Sequence, residues 1–194
     1  LAENSLGFVL LGPNRREVLE AAQETGRPVV ACCHIVPPLL EIDQITSTDE
    51  ESGASVGEYL YALGHRHICY VHGQTGFPGR DARLRGMAAV LGPDVTITEM
   101  ALTEDYASGE FAPAMRRILA SGSAPTAFFC GSDGVAVTCQ SEILRLGLRV
   151  PEDVSVVGHA DYPLATQVSP RLTTIHMPHR EIGLQAVHMI RNRI

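Results

Sequence analysis

The sequence lacks a basic excess, a long apolar run and any paired-cysteine spacing, and each absence removes a class of protein. Its formal net charge is −7 over 194 residues, and the basic residues are scattered, as at Arg15 and Arg16, Arg116 and Arg117, Arg191 and Arg193. Phosphate binding needs a clustered basic surface that releases counterions, so this stretch does not grip nucleic acid by itself. No apolar run approaches the roughly 20 residues that span a bilayer, and no charged-then-apolar amino-terminal segment resembles a secretion signal. The stretch therefore reads as soluble and cytoplasmic, with no membrane partner. Its five cysteines are odd in number and without repeated spacing, which suits reduced thiols better than a disulfide framework. Adjacent Cys32 and Cys33 lie in an apolar stretch and read as buried packing.

Signatures of chemistry are equally sparse. There is no Gly-x-Ser-x-Gly elbow, and Gly131-Ser132-Asp133-Gly134 is one residue too tight to be one. Neither a Walker loop nor a Gly-x-Gly-x-x-Gly turn is present. Eight histidines raise the question of a metal, but no Cys or His pair has finger or ribbon spacing. His65 and His67 flank a strand start while His72 lies at its far end, about 16 Å along. Solvated or packing histidines are the reading, with no metal, cofactor or catalytic residue assigned. Triads are assembled in space, so an enzyme stays open as a third class.

What the chain has is apolar content, 45% of its residues, enough for one large domain or two small α/β lobes with their own cores. An apolar β-type run, a loop and an amphipathic helical stretch recur about five times, the pattern of a parallel sheet with helical crossovers. The predicted strands are 7–11, 28–33, 68–71, 95–98, 127–130, 154–157 and 172–176. The predicted helices follow Asn14, span 50–63, run through 83–91, span 108–120 and 134–146, and begin near 180. Gly64 and Gly147 are placed to end two of them, and Pro113 must fall in a first turn or bend its helix. The Pro-rich segment 34–44 reads as a structure-poor connection between lobes. Strand ends run into three loops, His72-Gly73, Gly131-Ser132-Asp133 and Gly158-His159-Ala160-Asp161. In open parallel sheets ligands bind at that edge, where loops and helix amino-termini converge.

Leu63-Gly64-His65-Arg66-His67-Ile68 resembles the "LGHRRI" of the lactose-repressor/galactose-repressor family of bacterial transcriptional regulators. Arg83 followed by Gly86 resembles that family's "R-x-x-G-F" helix start, and Ala127 to Asp133 resembles its "A-I-F-A-x-N-D". Leu146 to Gly158 is similar to the family pattern throughout, and Ser169-Pro170-Arg171-Leu172-Thr173-Thr174-Ile175, followed by Pro178, Glu181 and Gly183, resembles its crossover and helix. The resemblance implies a two-lobed, periplasmic-binding-protein-like (type I) α/β fold of parallel sheets flanked by helices. A small effector, a sugar or an acidic metabolite, would lie between the lobes, the core would form a homodimer, and an amino-terminal helix-turn-helix headpiece would bind operator DNA. Residues 1–45 with 174–194 correspond to a partial amino-terminal lobe, and 46–173 to the carboxy-terminal lobe. The headpiece and the first strands of the amino-terminal lobe are expected to lie outside this sequence. The alternative is a periplasmic-type sugar-binding protein, which shares the fold.

The same resemblance implies that Arg83 faces the effector, with Ser132, Asp133, Asp161 and Tyr106 beside it. Each has a plainer reading on pattern alone: Arg83 solvated, Asp133 a helix cap, Ser132 and Asp161 ordinary loop residues, Tyr106 packing. The chain also departs from the family pattern. Ser132 stands where the family has Asn, Ala160 occupies the usual acidic position with Asp161 one place later, and Cys33 and His34 stand where an Asp is common. Loss of the acid at Ala160 leaves Arg83 less neutralised, which favours an acidic or phosphorylated effector over a plain hexose.

Overall fold

The computed structural model describes residues 4–12, 14–33, 36–73, 78–102 and 108–194, and divides the chain into two compact units. Unit 1 comprises Leu1–Thr48 and Pro178–Ile194, and unit 2 comprises Asp49–Met177.

In unit 1, strands β1 (Phe8–Leu11), β2 (Val29–Cys32) and β3 (Asp43–Ile45) form a parallel sheet in that order. Helix α1 (Arg16–Gln23) presents Leu19 and Ala22, one turn apart, to Val29 and Ala31 of the sheet and to Val36 and Ile42. The carboxy-terminal helix of the chain (His179–Arg191) packs on the same strands and buries Ile182 and Ala186. The Pro-rich segment is therefore not a connection between units. It belongs to unit 1, and β3, which begins at its end, was hidden because its Asp-Gln-Ile shows no apolar run.

Unit 2 is a five-stranded all-parallel sheet. Its elements in chain order are α2 (Asp49–Ala62), β4 (His67–His72), α3 (Pro78–Val90), β5 (Thr96–Ala101), α4 (Ser108–Leu119), β6 (Ala127–Cys130), α5 (Asp133–Arg145), β7 (Ser155–Ala160) and β8 (Thr173–His176), with the carboxy-terminal helix of unit 1 becoming α6. The strand order is β5-β4-β6-β7-β8. A strand's side chains alternate between faces, and the two cores follow that period. Ile68, Tyr70, Ala127, Phe129 and Val157 meet Val56 and Leu60 of α2 and Met87 of α3. Cys69, Val71, Phe128, Cys130 and Val156 meet Phe111 and Met115 of α4 and Val135, Cys139 and Ile143 of α5. The central strands are buried on both faces, which is why they read as continuous apolar runs.

Helices α2 and α3 touch backbone to backbone, since a Cβ at Gly53 would collide with the Arg83 carbonyl and one at Gly86 with the Glu50 carbonyl. Pro113 sits inside α4, not in its first turn. The unit boundaries fall at 48/49 and 177/178. Boundaries at 45/46 and 173/174 would cut β8 from its partner β7, with which it pairs from Val157↔Thr173 to Ala160↔His176.

Candidate functional site

All five strands of unit 2 run the same way, so their carboxyl ends share one edge, where polar side chains are held inside the protein. Strand β4 ends at His72, 2% exposed, whose Nδ1 lies 2.8 Å from the Gly73 carbonyl and Nε2 3.0 Å from Glu99 Oε1 of β5. Tyr70 stacks on its ring at 5.2 Å and donates its hydroxyl to the Arg80 carbonyl at 3.1 Å. Burial pushes the Tyr70 phenol up to about 12.

Arg83 is the centre of this edge. It lies in the second turn of α3, because the helix begins at Pro78 and not beside Arg83 as the motif had suggested. Its Nε donates to Asp49 Oδ1 at 2.8 Å and its Nη1 donates to the Gly131 carbonyl at 2.6 Å. The two side chains are only 13% and 8% exposed, so Arg83 is neither solvated nor a loose rim residue. Asp49 opens α2 and is the first residue of unit 2. Its carboxylate neutralises the guanidinium, which corrects the expectation that the missing acid at Ala160 leaves Arg83 unbalanced. Buried His159 reaches the same edge, with Nε2 4.0 Å from the same Asp49 oxygen. Two bonds occupy part of the arginine fork, and its remaining donors have no partner among the described residues.

Asp133 does not cap α5. Ser132 is the N-cap, accepting from the Val135 N–H at 3.4 Å, and Asp133 turns inward, fully buried. There it accepts the Tyr162 N–H at 2.6 Å and a short bond from the Thr174 hydroxyl, tying α5 to the ends of β7 and β8. This grip holds a bent backbone: Ala160 and Asp161 have φ of 112° and 56°. Non-glycine residues at such φ cost about 1–3 kcal/mol each and persist only where surroundings enforce them. β7 itself runs through Gly158, His159 and Ala160, three residues that the sequence had placed in a loop. Asp161 is bonded to His176 Nδ1 at 2.8 Å and is exposed. Tyr106 lies outside the described residues.

The edge thus brings Arg83, Ser132 and Asp133 together around the Gly131 turn, whereas the bond of Asp161 goes to β8. Sequence reasoning missed Asp49, the most consequential neighbour. It stands 34 positions from Arg83, and only the close approach of α2 and α3 joins them.

Burial pushes the Cys69 thiol up to about 12 and Cys139 well above its ordinary value, so these core thiols stay protonated and inert. Cys32 is buried and likewise raised by burial, but Cys33 is only partly covered and has φ 56°, so the pair is not uniformly core. Among the described residues no group of three His, Cys, Asp or Glu side chains could hold a metal. Nor is any helix long and apolar enough to cross a membrane.

Comparison with known proteins places the chain in a family. Residues 58–194 match the family described as periplasmic binding protein-like domain. The chain is 37% identical over 156 residues to the HTH-type transcriptional repressor PurR of Aliivibrio fischeri, a match covering 78% of this chain and 46% of that protein. It therefore spans about half the length of the curated relatives it matches. A LacI family transcriptional regulator from Mycobacterium smegmatis superposes with a TM-score of 0.80 at 27% identity, covering 97% of this chain and 70% of that one. A LacI family regulator from Enterococcus faecium, solved with bound ribose, superposes with a TM-score of 0.76 at 22% identity over 92% of this chain and 67% of that one. The chain belongs to the periplasmic binding protein-like domain family and, within it, to the lactose-repressor/galactose-repressor group.

Proposed function

We propose that this chain is the ligand-sensing and dimerising core of a bacterial transcriptional regulator, without catalysis of its own. In the whole protein a headpiece outside this sequence would bind operator DNA in the cytoplasm. The observation that carries the reading is the buried Arg83–Asp49 pair clamped onto the Gly131 carbonyl at the carboxyl edge of the sheet. Buried charge is costly unless paired, and a pair beside free donor positions is what a small polar ligand requires.

The effector would sit on Arg83, with Ser132 and Asp161 as further polar contacts, Asp133 holding the loop and Tyr106 beside it. Because Asp49 already balances Arg83, the pair offers donors and an acceptor side by side, which suits a hydroxyl-bearing neutral ligand better than an acidic one. The ribose bound by the Enterococcus faecium neighbour is consistent with that class. A periplasmic sugar-binding protein is the weaker alternative, since the relatives are named as repressors.

The test is calorimetry with ribose and ribose 5-phosphate as probes. The neutral sugar should bind more tightly than its phosphate, and Arg83→Lys, which keeps the charge but loses the fork, should cost about 1.5–3 kcal/mol of binding. Preference for the phosphate would reverse the ligand class. Binding untouched by the substitution would remove Arg83 from the site. In a gel shift this acidic chain alone should leave DNA unretarded.

A further inference from the structure

A cavity of about 550 Å³ opens at the other end of unit 2, beside the amino-terminal halves of β7 and β8. It lies far from Arg83, because β7 runs its six residues, about 16 Å, between the two. Its size is that of a small-molecule site, and its lining mixes apolar and polar side chains. Leu63 at the end of α2, Val150 and Pro151 after α5, and Pro170 before β8 supply the apolar surface.

Two polar groups stand out against that surface. Gln140 of α5 is 3% exposed, and its Nε2 donates to the Pro170 carbonyl at 2.8 Å. Oε1 accepts no hydrogen bond among the described residues, which leaves it available to water or a ligand on the cavity side. Arg171 also lines the cavity, is exposed, and makes no ion pair among the described residues. His65 and Ser155 line it too, but they bond to each other at 3.0 Å and act as wall. Glu152 on the exposed rim disfavours a multiply charged anion.

We propose that this cavity binds a small organic monoanion. Its apolar body would lie against Val150, Pro151, Pro170 and Leu63, its single negative charge on the Arg171 guanidinium, and a hydrogen-bonding group on the Gln140 carboxamide. Such a site is separate from the Arg83 edge and does not depend on what binds there.

The probe is 1-anilinonaphthalene-8-sulfonate, an aromatic body with one anion, titrated by fluorescence into the 194-residue chain. Saturable one-site enhancement is expected. Arg171→Ala, an exposed change that leaves the core intact, should weaken it about tenfold, the scale of one lost charge-assisted hydrogen bond. Val150→Trp should abolish it by filling the space. Non-saturating enhancement, equal affinity in Arg171→Ala, or loss of binding in Arg83→Lys instead would overturn the proposal. Val150→Trp that lowers self-association in sedimentation but leaves dye binding intact would give this face to a second copy of the chain and overturn it as well.

Discussion

Two of the arginine–aspartate pairs among the described residues of unit 2 are of nearly equal length and sit in opposite surroundings. Arg149 holds Asp153 through two parallel bonds of 2.7 and 2.9 Å, with the side chains 69% and 32% exposed. Arg83 holds Asp49 through one bond of 2.8 Å, with the side chains 13% and 8% exposed. By geometry the first is the better pair. Water decides otherwise, because exposed charges lose little when separated, whereas buried ones leave a partner with neither water nor counter-charge. The exposed pair finishes a loop, with Asp153 also accepting the Arg149 N–H at 2.8 Å. The buried pair has a cost that loop-closing does not explain, and it stands where ligands meet parallel sheets.

The largest expected effect comes from breaking the buried pair. Asp49→Ala should lower the unfolding free energy by about 3–5 kcal/mol in urea titration, because Arg83 is left charged and unpaired. A loss under about 1 kcal/mol would put the two pairs in one class and erase the contrast.

Next is the helix contact that creates the pair. A methyl at Gly86 meets the Glu50 carbonyl, so Gly86→Ala should push α2 from α3 and cost about 1–3 kcal/mol. Thermal unfolding measures it, and the same variant should loosen Asp49 from Arg83. An unchanged Tm would mean that the helices do not need to touch.

A smaller, pH-dependent effect belongs to the amino-terminal end. His65 bridges Thr126 Oγ1 at 2.8 Å and Ser155 Oγ at 3.0 Å, and burial lowers its tendency to protonate below the ordinary 6.5. The unfolded chain then binds more protons as pH falls below 6.5, so stability from this group is full above that value and declines beneath it. His65→Gln should flatten the slope of stability against pH between 6.5 and the acid side, as followed by urea midpoints.

Smallest is the exposed pair. Arg149→Ala should leave Tm unchanged while raising the titration of the Asp153 carboxyl from about 2 toward 3.8, visible by carbon NMR. The Arg149 hydrogen bond is the main cause of that depression, followed by the backbone bond. What stability it carries is present above 3.8 and is lost as pH falls toward 2.

The same contrast governs what could be read from the sequence. Strands β4 and β6 were legible because burial on both faces makes Ile68 to Val71 and Ala127 to Cys130 continuous apolar runs, and β7 because Val154, Val156 and Val157 are interrupted only by Ser155. Helix α5 was bounded to within a residue, since Gly147 at φ 80° follows its end and Ser132 caps its start. Strand β3 was not legible, because its stability comes from pairing with β2 and not from its own side chains. At the carboxyl edge, Arg83 was singled out through a motif, but its partner was not. Nothing local to Asp49 distinguishes it from the acidic residues Glu50 and Glu51 beside it, since what makes it special is its position against α3. Asp133 was found and given the wrong task, because neighbouring Ser132 and Asp133 can both cap a helix and only the fold shows which one turns inward.

The most direct measurement is the unfolding free energy of the double variant Asp49→Leu/Arg83→Met beside the two single ones. If the pair is kept for ligand binding and not for stability, each single change should lose about 3 kcal/mol or more, while the double change, with both charges gone, should return to within about 1 kcal/mol of the parent. A double variant as unstable as the sum of the singles would show that Arg83 and Asp49 hold the fold independently, and would contradict a ligand-binding edge built on their pairing.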